Sequence, residues 1–378
     1  MQIPEFTPLL IALLTVSGLK LTADWVINGL VVFSKKEKYN PKKNDQLKLP
    51  KVSIIICARN ESHNLIEFLP KVLEQDYPDF EVVVVNDRSI DDTQTLLNAF
   101  AIKHSNLKVT RVQESELHWA GKKFALTIGL KSASNSLVLL TDADCFPESD
   151  QWLKEMSSNF SDTKKIILGY GAYQKGTSLI NKLIRSEAFT IALQYLGLAK
   201  MGVPYMGVGR NLAYNKDLFF DNRGFASHQF MASGDDDLFI NEVATKKNTT
   251  ISFNEKSYTT SIPEKSLKLW MEQKRRHLTT SNRYNFISKF ALLFTSSLRY
   301  SFYLLLIICF FTELYLVGLI LFLLNSISLI ALYYLPAKRT KSVDLLIWLP
   351  ISEFFLLLFY PFLLIWNTII SGNPWKNY

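Results

Sequence analysis

Residues 300 to 335 read YSFYLLLIICFFTELYLVGLILFLLNSISLIALYYL, with Glu313 as the one charge. About 20 consecutive apolar residues cross a bilayer as a helix. Extended back to Phe290, the stretch is long enough for two spans joined by a tight turn near Thr312 and Glu313. That count puts Arg299 inside the first span, where a charge is costly. A third apolar stretch covers about residues 343 to 370, with Pro350 and Pro361 as expected kinks. Residues 8 to 33 are also apolar, and carry Lys20 and Asp24 four apart on one helix face. They lack the basic start and small-residue cleavage site of a secretory signal. The segment reads as a fourth span; a helix lying flat in the interface is the other reading.

Charge orients these spans. Residues 35 to 51, KKEKYNPKKNDQLKLPK, hold seven Lys against one Glu and one Asp. Loops that stay in the cytoplasm are rich in Lys and Arg. The expectation is a multi-pass protein of the cell membrane, with residues 50 to 285 cytoplasmic. Two spans then return the chain to Lys338, Arg339 and Lys341, a second basic cluster on the same side, and the last span leads outward. The net charge of +8 is thus a membrane-orientation signal and not a nucleic-acid footprint. A mean hydropathy of +0.09 beside 20% charged residues fits a soluble domain joined to membrane segments. Cys57, Cys145 and Cys309 lie far apart, without zinc-ligand spacing.

Between the membrane parts the pattern alternates. VSIIIC (52 to 57) and EVVVV (81 to 85) are short β-branched runs of the kind buried in parallel sheets. Strands at 107 to 112 and 137 to 141 follow, separated by helical stretches at 61 to 75, from Asp91 or Asp92 onward, and at 124 to 133. A βαβαβαβ array implies a mostly parallel α/β sheet with helices on both faces. Ligands of such sheets bind beyond the carboxyl ends of the strands. Polar residues collect there: Arg59, Asn60 and Glu61 after the first strand, Asn86 to Ser89 after the second, Asp142 and Asp144 after the fourth. Carboxylates gathered at one rim repel unless a cation or donor groups hold them. No GxGxxG and no P-loop occurs in this region, so a dinucleotide or kinase-type site lacks its phosphate cradle.

The stretches VSIIICARNE, VVVNDRSIDDT, GKKFAL, TDADC, GDDDL and QKRRH occur in the order and rough spacing of family 2 glycosyltransferases of the GT-A fold. The membrane arrangement resembles the polysaccharide synthases and ceramide glucosyltransferases of that family. The resemblance covers about residues 50 to 285 and implies five parts: an N-terminal transmembrane helix (1–34), a basic cytoplasmic linker (35–50), a GT-A domain (51–262), an interfacial amphipathic helix (263–288) and three transmembrane helices (289–378).

The resemblance also implies roles. Asp87 would accept a hydrogen bond from the donor's base, with Arg59 and Glu61 in the same pocket, although Glu61 also suits a helix's first turn. Lys122 would sit near the donor phosphates. Asp144 would ligate a divalent Mg or Mn ion, and Asp142 would contact the ribose or support the metal; hard cations favour carboxylate and phosphate oxygens. Asp236 would be the catalytic base, with Asp235 as the alternative register; the three acids also suit a helix cap. Gln273 and Arg276, three apart on an interfacial helix, would contact sugar and diphosphate. His277 stands where Trp is usual in the QxxRW pattern, which weakens the case for processive polymer handling. Thr127 stands where the family often has Asn.

The implied activity is inverting transfer of a sugar from a nucleotide-sugar, with UDP-glucose or UDP-N-acetylglucosamine as family-level donors, to a lipid or growing polysaccharide. Four spans are few for a translocation pore, so oligomerisation or a partner protein would have to complete one. The other readings are a membrane-anchored nucleotidyltransferase and a non-catalytic sugar-nucleotide-binding protein.

Overall fold

A computed structural model describes residues 7–33, 49–112, 122–231 and 233–369. Most of the basic linker, and Gly121 of GKKFAL, lie outside the described residues.

Helix α1 (Thr7–Val32) comes first. The alternation then runs β1 (Val52–Ala58), α2 (Ser62–Leu73), β2 (Phe80–Asp87), α3 (Thr93–Lys103), β3 (Leu107–Val112), α4 (Lys123–Ser132) and β4 (Leu137–Asp142). Shorter pieces follow: β5 (Cys145–Pro147), α5 (Trp152–Ser157), β6 (Ile166–Leu168) and β7 (Gly171–Tyr173). After the long α6 (Leu179–Met201) come β8 (Leu212–Asn215), α7 (Asp217–Asp221), α8 (Asp237–Val243), β9 (Thr249–Ile251) and β10 (Thr259–Ser261). Last are α9 (Leu267–Leu278), α10 (Phe286–Phe310), α11 (Tyr315–Arg339) and α12 (Leu349–Ile369).

The main sheet has the order β3-β2-β1-β4-β8-β6-β9. The first four strands are parallel, and β8 runs antiparallel to both β4 and β6. A three-stranded sheet, β5-β10-β7, stands beside it. The expected α/β array is therefore present, with an antiparallel strand added at β8. Alternation along β1 shows why the β-branched run is buried on both sides. Ile54 and Ile56 pack with Leu65, Leu69 and Val72 of α2, while Ile55 packs with Leu126 and Leu130 of α4. Strand β2 extends through Asp87, so Asn86 and Asp87 end the strand rather than follow it.

Four helices are long and apolar enough to cross a membrane, at Thr7–Val32, Phe286–Phe310, Tyr315–Arg339 and Val343–Asn367. The chain turns between α10 and α11 at residues 311 to 314, where the sequence places the break. Of the expected third C-terminal span, the first six residues form a 3-10 turn (Val343–Trp348) before the α-helix begins. Helix α6 joins membrane and catalytic layers by lying against α1. A Cβ on Gly197 would come within 2.2 Å of the Ile27 carbonyl oxygen, so the two backbones meet where only glycine fits.

Candidate active site

The sheet order reverses between β1 and β4, which opens a crevice at the strands' carboxyl ends. Register puts Asp142 level with Cys57, and Asn86 level with Ala58. The β1 and β2 ends are pinned to each other. Asn60 N–H donates to Ser89 Oγ (2.9 Å), Ile90 N–H to Asn60 Oδ1 (2.9 Å) and Ser62 N–H to Asp91 Oδ2 (3.1 Å). Both loops turn through left-handed residues, Asn60 and Arg88. Asp87 is buried and takes Arg88 Nε at 2.8 Å. Glu61 accepts from Asn64 at 2.7 Å, and burial raises its carboxyl above the usual range. Arg59 is exposed.

Asp142 ends β4, and Ala143–Asp144 turn the chain into β5. The expectation that an extended backbone puts both carboxylates on one side does not hold, because the extension stops at Asp142. The turn still gathers them: ligand atoms of Asp142, Asp144 and Cys145 lie within 4.8 Å of one another. Cys145 is a poor third ligand. Its Sγ lies 2.8 Å from Ser261 Oγ, and burial pushes its thiol well above its ordinary range, so it stays protonated. The donor set is therefore two carboxylates, which fits a hard divalent ion that completes its shell with diphosphate oxygens. Such an ion, when bound, would offset charge on the departing diphosphate.

Lys122, at the start of α4, spans two acidic groups: Nζ is 2.7 Å from Asp142 Oδ1 and 3.1 Å from Asp235 Oδ2. Burial pulls its ammonium down, but Asp142, Asp235 and Asp236 outweigh that and hold it well above its ordinary value. This ammonium is the cation that the acidic rim requires. Asp236 occupies the N-cap position of α8. Its Oδ1 accepts from Asp237 N–H and its Oδ2 from Gly209 N–H, both at 2.7 Å. A Cβ on Gly209 would press to 3.3 Å from Lys122 Nζ and 3.5 Å from Asp236 Oδ2. Burial, then the charges of Asp235 and Asp237, push the Asp236 carboxyl up to about 7. The helix-cap and acid–base readings of GDDDL therefore apply to one residue together.

Asp237 faces elsewhere. It is buried and accepts from Thr280 Oγ1 (2.5 Å) and Tyr284 OH (2.7 Å), which ties the catalytic loop to the α9–α10 junction. Lys123 is fully buried and donates to the carbonyls of His228 (2.7 Å) and Met231 (3.0 Å), while His228 Nε2 bonds Gly234 O at 2.9 Å. Together they brace the loop that leads into Asp235.

Lys122, Asp142, Asp144, Asp235, Asp236 and Gln273 line one cavity of about 690 Å3. Arg59, Glu61 and Asp87 stand outside that lining, at the ends of β1 and β2. On α9 the cavity is lined by Gln273, Lys274, His277 and Leu278, and not by Arg276. Lys274 pairs with the buried Glu187 of α6 at 2.5 Å. Burial, then Lys274 and Arg276, hold the His277 imidazole far below its usual range, so it is neutral. Arg210 also lines the cavity, its guanidinium 4.2 Å from the Tyr173 ring centroid. Sequence reasoning noted GVGRN as a strand but did not single out this arginine; a cation between two glycine-spaced positions, unable to fold back on bulky neighbours, was the available signal.

An open α/β sheet whose central strand ends in a paired-carboxylate turn, followed by an acidic helix cap on the same cavity, is a GT-A domain. Residues 53–221 match the family model "Glycosyl transferase family 2", and the protein carries a domain of that family. Similar proteins agree. Glycosyltransferase AglE of Haloferax volcanii is 32% identical over 123 residues, 32% of this chain and 39% of that protein. The poly-beta-1,6-N-acetyl-D-glucosamine synthase of Staphylococcus epidermidis is 30% identical over 177 residues, 44% of this chain and 40% of that protein. The chain thus spans about two fifths of these relatives' length. In fold it is similar to the mannosyltransferase PcManGT of Pyrobaculum calidifontis, solved with GDP-Man and Mn2+ (TM-score 0.58, 19% identity, 93% of this chain and 99% of that one).

Proposed function

We propose that the protein is a membrane-bound inverting glycosyltransferase that moves a sugar from a nucleotide-sugar, with UDP-sugars as the first candidates, to a lipid or glycan acceptor. The observation that carries this reading is the shared cavity. Asp236, with its carboxyl pushed up to about 7, faces the same space as the Asp142–Asp144 pair and the Lys122 ammonium. In the single displacement, Asp236 takes the proton of an acceptor hydroxyl. The hydroxyl oxygen bonds to the anomeric carbon, and the bond from that carbon to the diphosphate oxygen breaks. The nucleoside diphosphate leaves with the electron pair. Lys122 stands where that charge develops. Asp87, Arg59 and Glu61 are assigned to the nucleoside end, and Arg276 to the diphosphate. Asp142 and Asp144 would hold a Mg or Mn ion; the Mn2+ in the PcManGT complex supports this.

The catalytic domain is proposed to face the cytoplasm. The buried Arg185 of α6 pairs with Asp344 (2.7 Å) in the turn after α11, which keeps Lys338, Arg339 and Lys341 on the domain's side of the bundle.

The test is a donor screen on the full-length protein in nanodiscs. Nucleotide release is measured with Mg or Mn and with common UDP- and GDP-sugars, and product mass is read alongside. We expect release with at least one donor, lost on chelation and in Asp144→Asn. Absence of release and transfer with every donor would refute the reading.

A further inference from the structure

The cavity does not stop at the carboxylates. It continues past Gln273 and Glu187 between α1, α6, α10, α11 and α12, where it is walled by Asp24, Asn28, Gln194, Thr295, Ser296 and Arg299. Those walls stand within helices apolar enough to span a bilayer. Polar side chains at such depth are costly unless something polar meets them. Neighbours meet only some of them. Asn28 is 5% exposed; its Nδ2 donates to Asp24 O at 3.1 Å, yet its Oδ1 is buried with no hydrogen-bond partner.

The charges in this inner chamber cancel. Lys20 Nζ lies 2.9 Å from Asp24 Oδ2 and 3.2 Å from Glu353 Oε1, and Arg299 Nε lies 3.0 Å from the same Glu353 oxygen. Two cations and two carboxylates leave no net charge. A phosphate would need surplus donors of positive charge; here the cations are matched, and Asp24 faces the chamber beside Arg299. What remains is a mixture of neutral donors and acceptors: the Asn28 amide oxygen, the Gln194 amide, and the Thr295 and Ser296 hydroxyls. Hydroxyl groups, which both donate and accept, satisfy such a set.

We propose that this inner chamber is an acceptor subsite for a neutral sugar residue, so that the acceptor is a molecule already glycosylated and not a bare lipid phosphate. The proposal rests on the transferase reading above and narrows its acceptor class. An accepting hydroxyl would stand at Asp236 while the sugar behind it occupies the chamber between α1 and α10. The enzyme therefore acts after another glycosyl transfer that installs the preceding sugar.

The experiment uses the full chain in nanodiscs with two probe sets: oligosaccharides of two to six glucose or N-acetylglucosamine units, and bare polyprenyl phosphate. Oligosaccharide binding is measured directly by ligand-observed NMR, without donor, and acceptance by product mass with the donor found in the screen. We expect at least one oligosaccharide series to bind and to gain mass, and polyprenyl phosphate to gain none. Asn28→Leu and Ser296→Leu, on different helices, should each weaken oligosaccharide binding about tenfold, the effect of one lost hydrogen bond with an unmet partner. UDP binding serves as the check that each variant is folded. Glycosylation of bare polyprenyl phosphate, or no oligosaccharide binding in the wild type, overturns the proposal; so does binding that both variants leave unchanged. Nucleotide release from no donor, with oligosaccharide binding intact, would count against the transferase reading and leave the sugar subsite standing.

Discussion

At the scale of residues, two neighbouring acids have separable duties. Asp236 holds both backbone donors, Gly209 N–H and Asp237 N–H, while Asp235 is engaged by Lys122. Its carboxyl is pushed up to about 7, so it is protonated, and unable to act as a base, below that pH. Acceptor kcat/KM should therefore rise with pH through about 7. Asp235→Asn removes the largest neighbouring charge and should move that midpoint to lower pH, with activity retained in part. Lys122→Met removes the nearest opposing positive charge and should move it upward. Asp236→Asn should cut kcat by about 10²- to 10⁴-fold, the usual contribution of a positioned base. A flat profile from pH 5 to 8, or near-normal turnover in Asp236→Asn with Asp235→Asn inactive, would transfer the role to Asp235. A separate expectation concerns the DxD turn: Asp144→Asn should weaken donor binding only when the divalent ion is present, measured by calorimetry with and without chelator.

Elements explain what could be read in the sequence and what could not. β1 to β4 were legible because each is a short β-branched run buried on both faces, and β-branched side chains have few other good environments. The polar strand ends were legible for the complementary reason, since Arg59–Glu61 and Asp142–Asp144 break those runs abruptly. Three-residue strands such as β5, β6 and β10 carry too little pattern to be seen, and their pairing is set by residues far away in sequence. The reach of α9 was also hidden. Spacing put Gln273 and Arg276 together, but the helix's orientation is fixed by Lys274 on Glu187 and by Trp270 stacked on Phe359 (4.6 Å), so Lys274 and His277 face the cavity. Close packing of α6 on α1 was equally invisible, because a glycine in a helix gives no periodic signal. Gly197→Leu should force α6 from α1 at Ile27, costing about 1–3 kcal/mol as an overpacked contact does. It should lower the melting temperature measured in detergent; an unchanged melt would mean that the helices separate at no cost.

For the whole molecule, the charges inside the spans decide how catalytic domain and membrane bundle hold together. Lys20 and Asp24 looked in the sequence like one helix-face pair, and Arg299 like a misfit in its span. In three dimensions, Glu353 of α12 gathers Lys20 of α1 and Arg299 of α10 and also accepts from Tyr303 OH at 2.9 Å, while Lys20 reaches Asn325 of α11 at 2.9 Å. Four helices thus meet at one carboxylate. A buried pair is poor evidence for net stability, but breaking one by removing a partner is expensive, about 3–5 kcal/mol. Glu353→Gln leaves two cations facing Asp24 alone and should lower the melting temperature sharply. Adding Lys20→Met to that variant restores the balance, with Arg299 and Asp24 as the remaining charges. The double variant should therefore be more stable than Glu353→Gln, a coupling that independent sites would not show. If the two losses simply add, the cluster is not the clasp of the bundle, and the helices are held by their apolar faces.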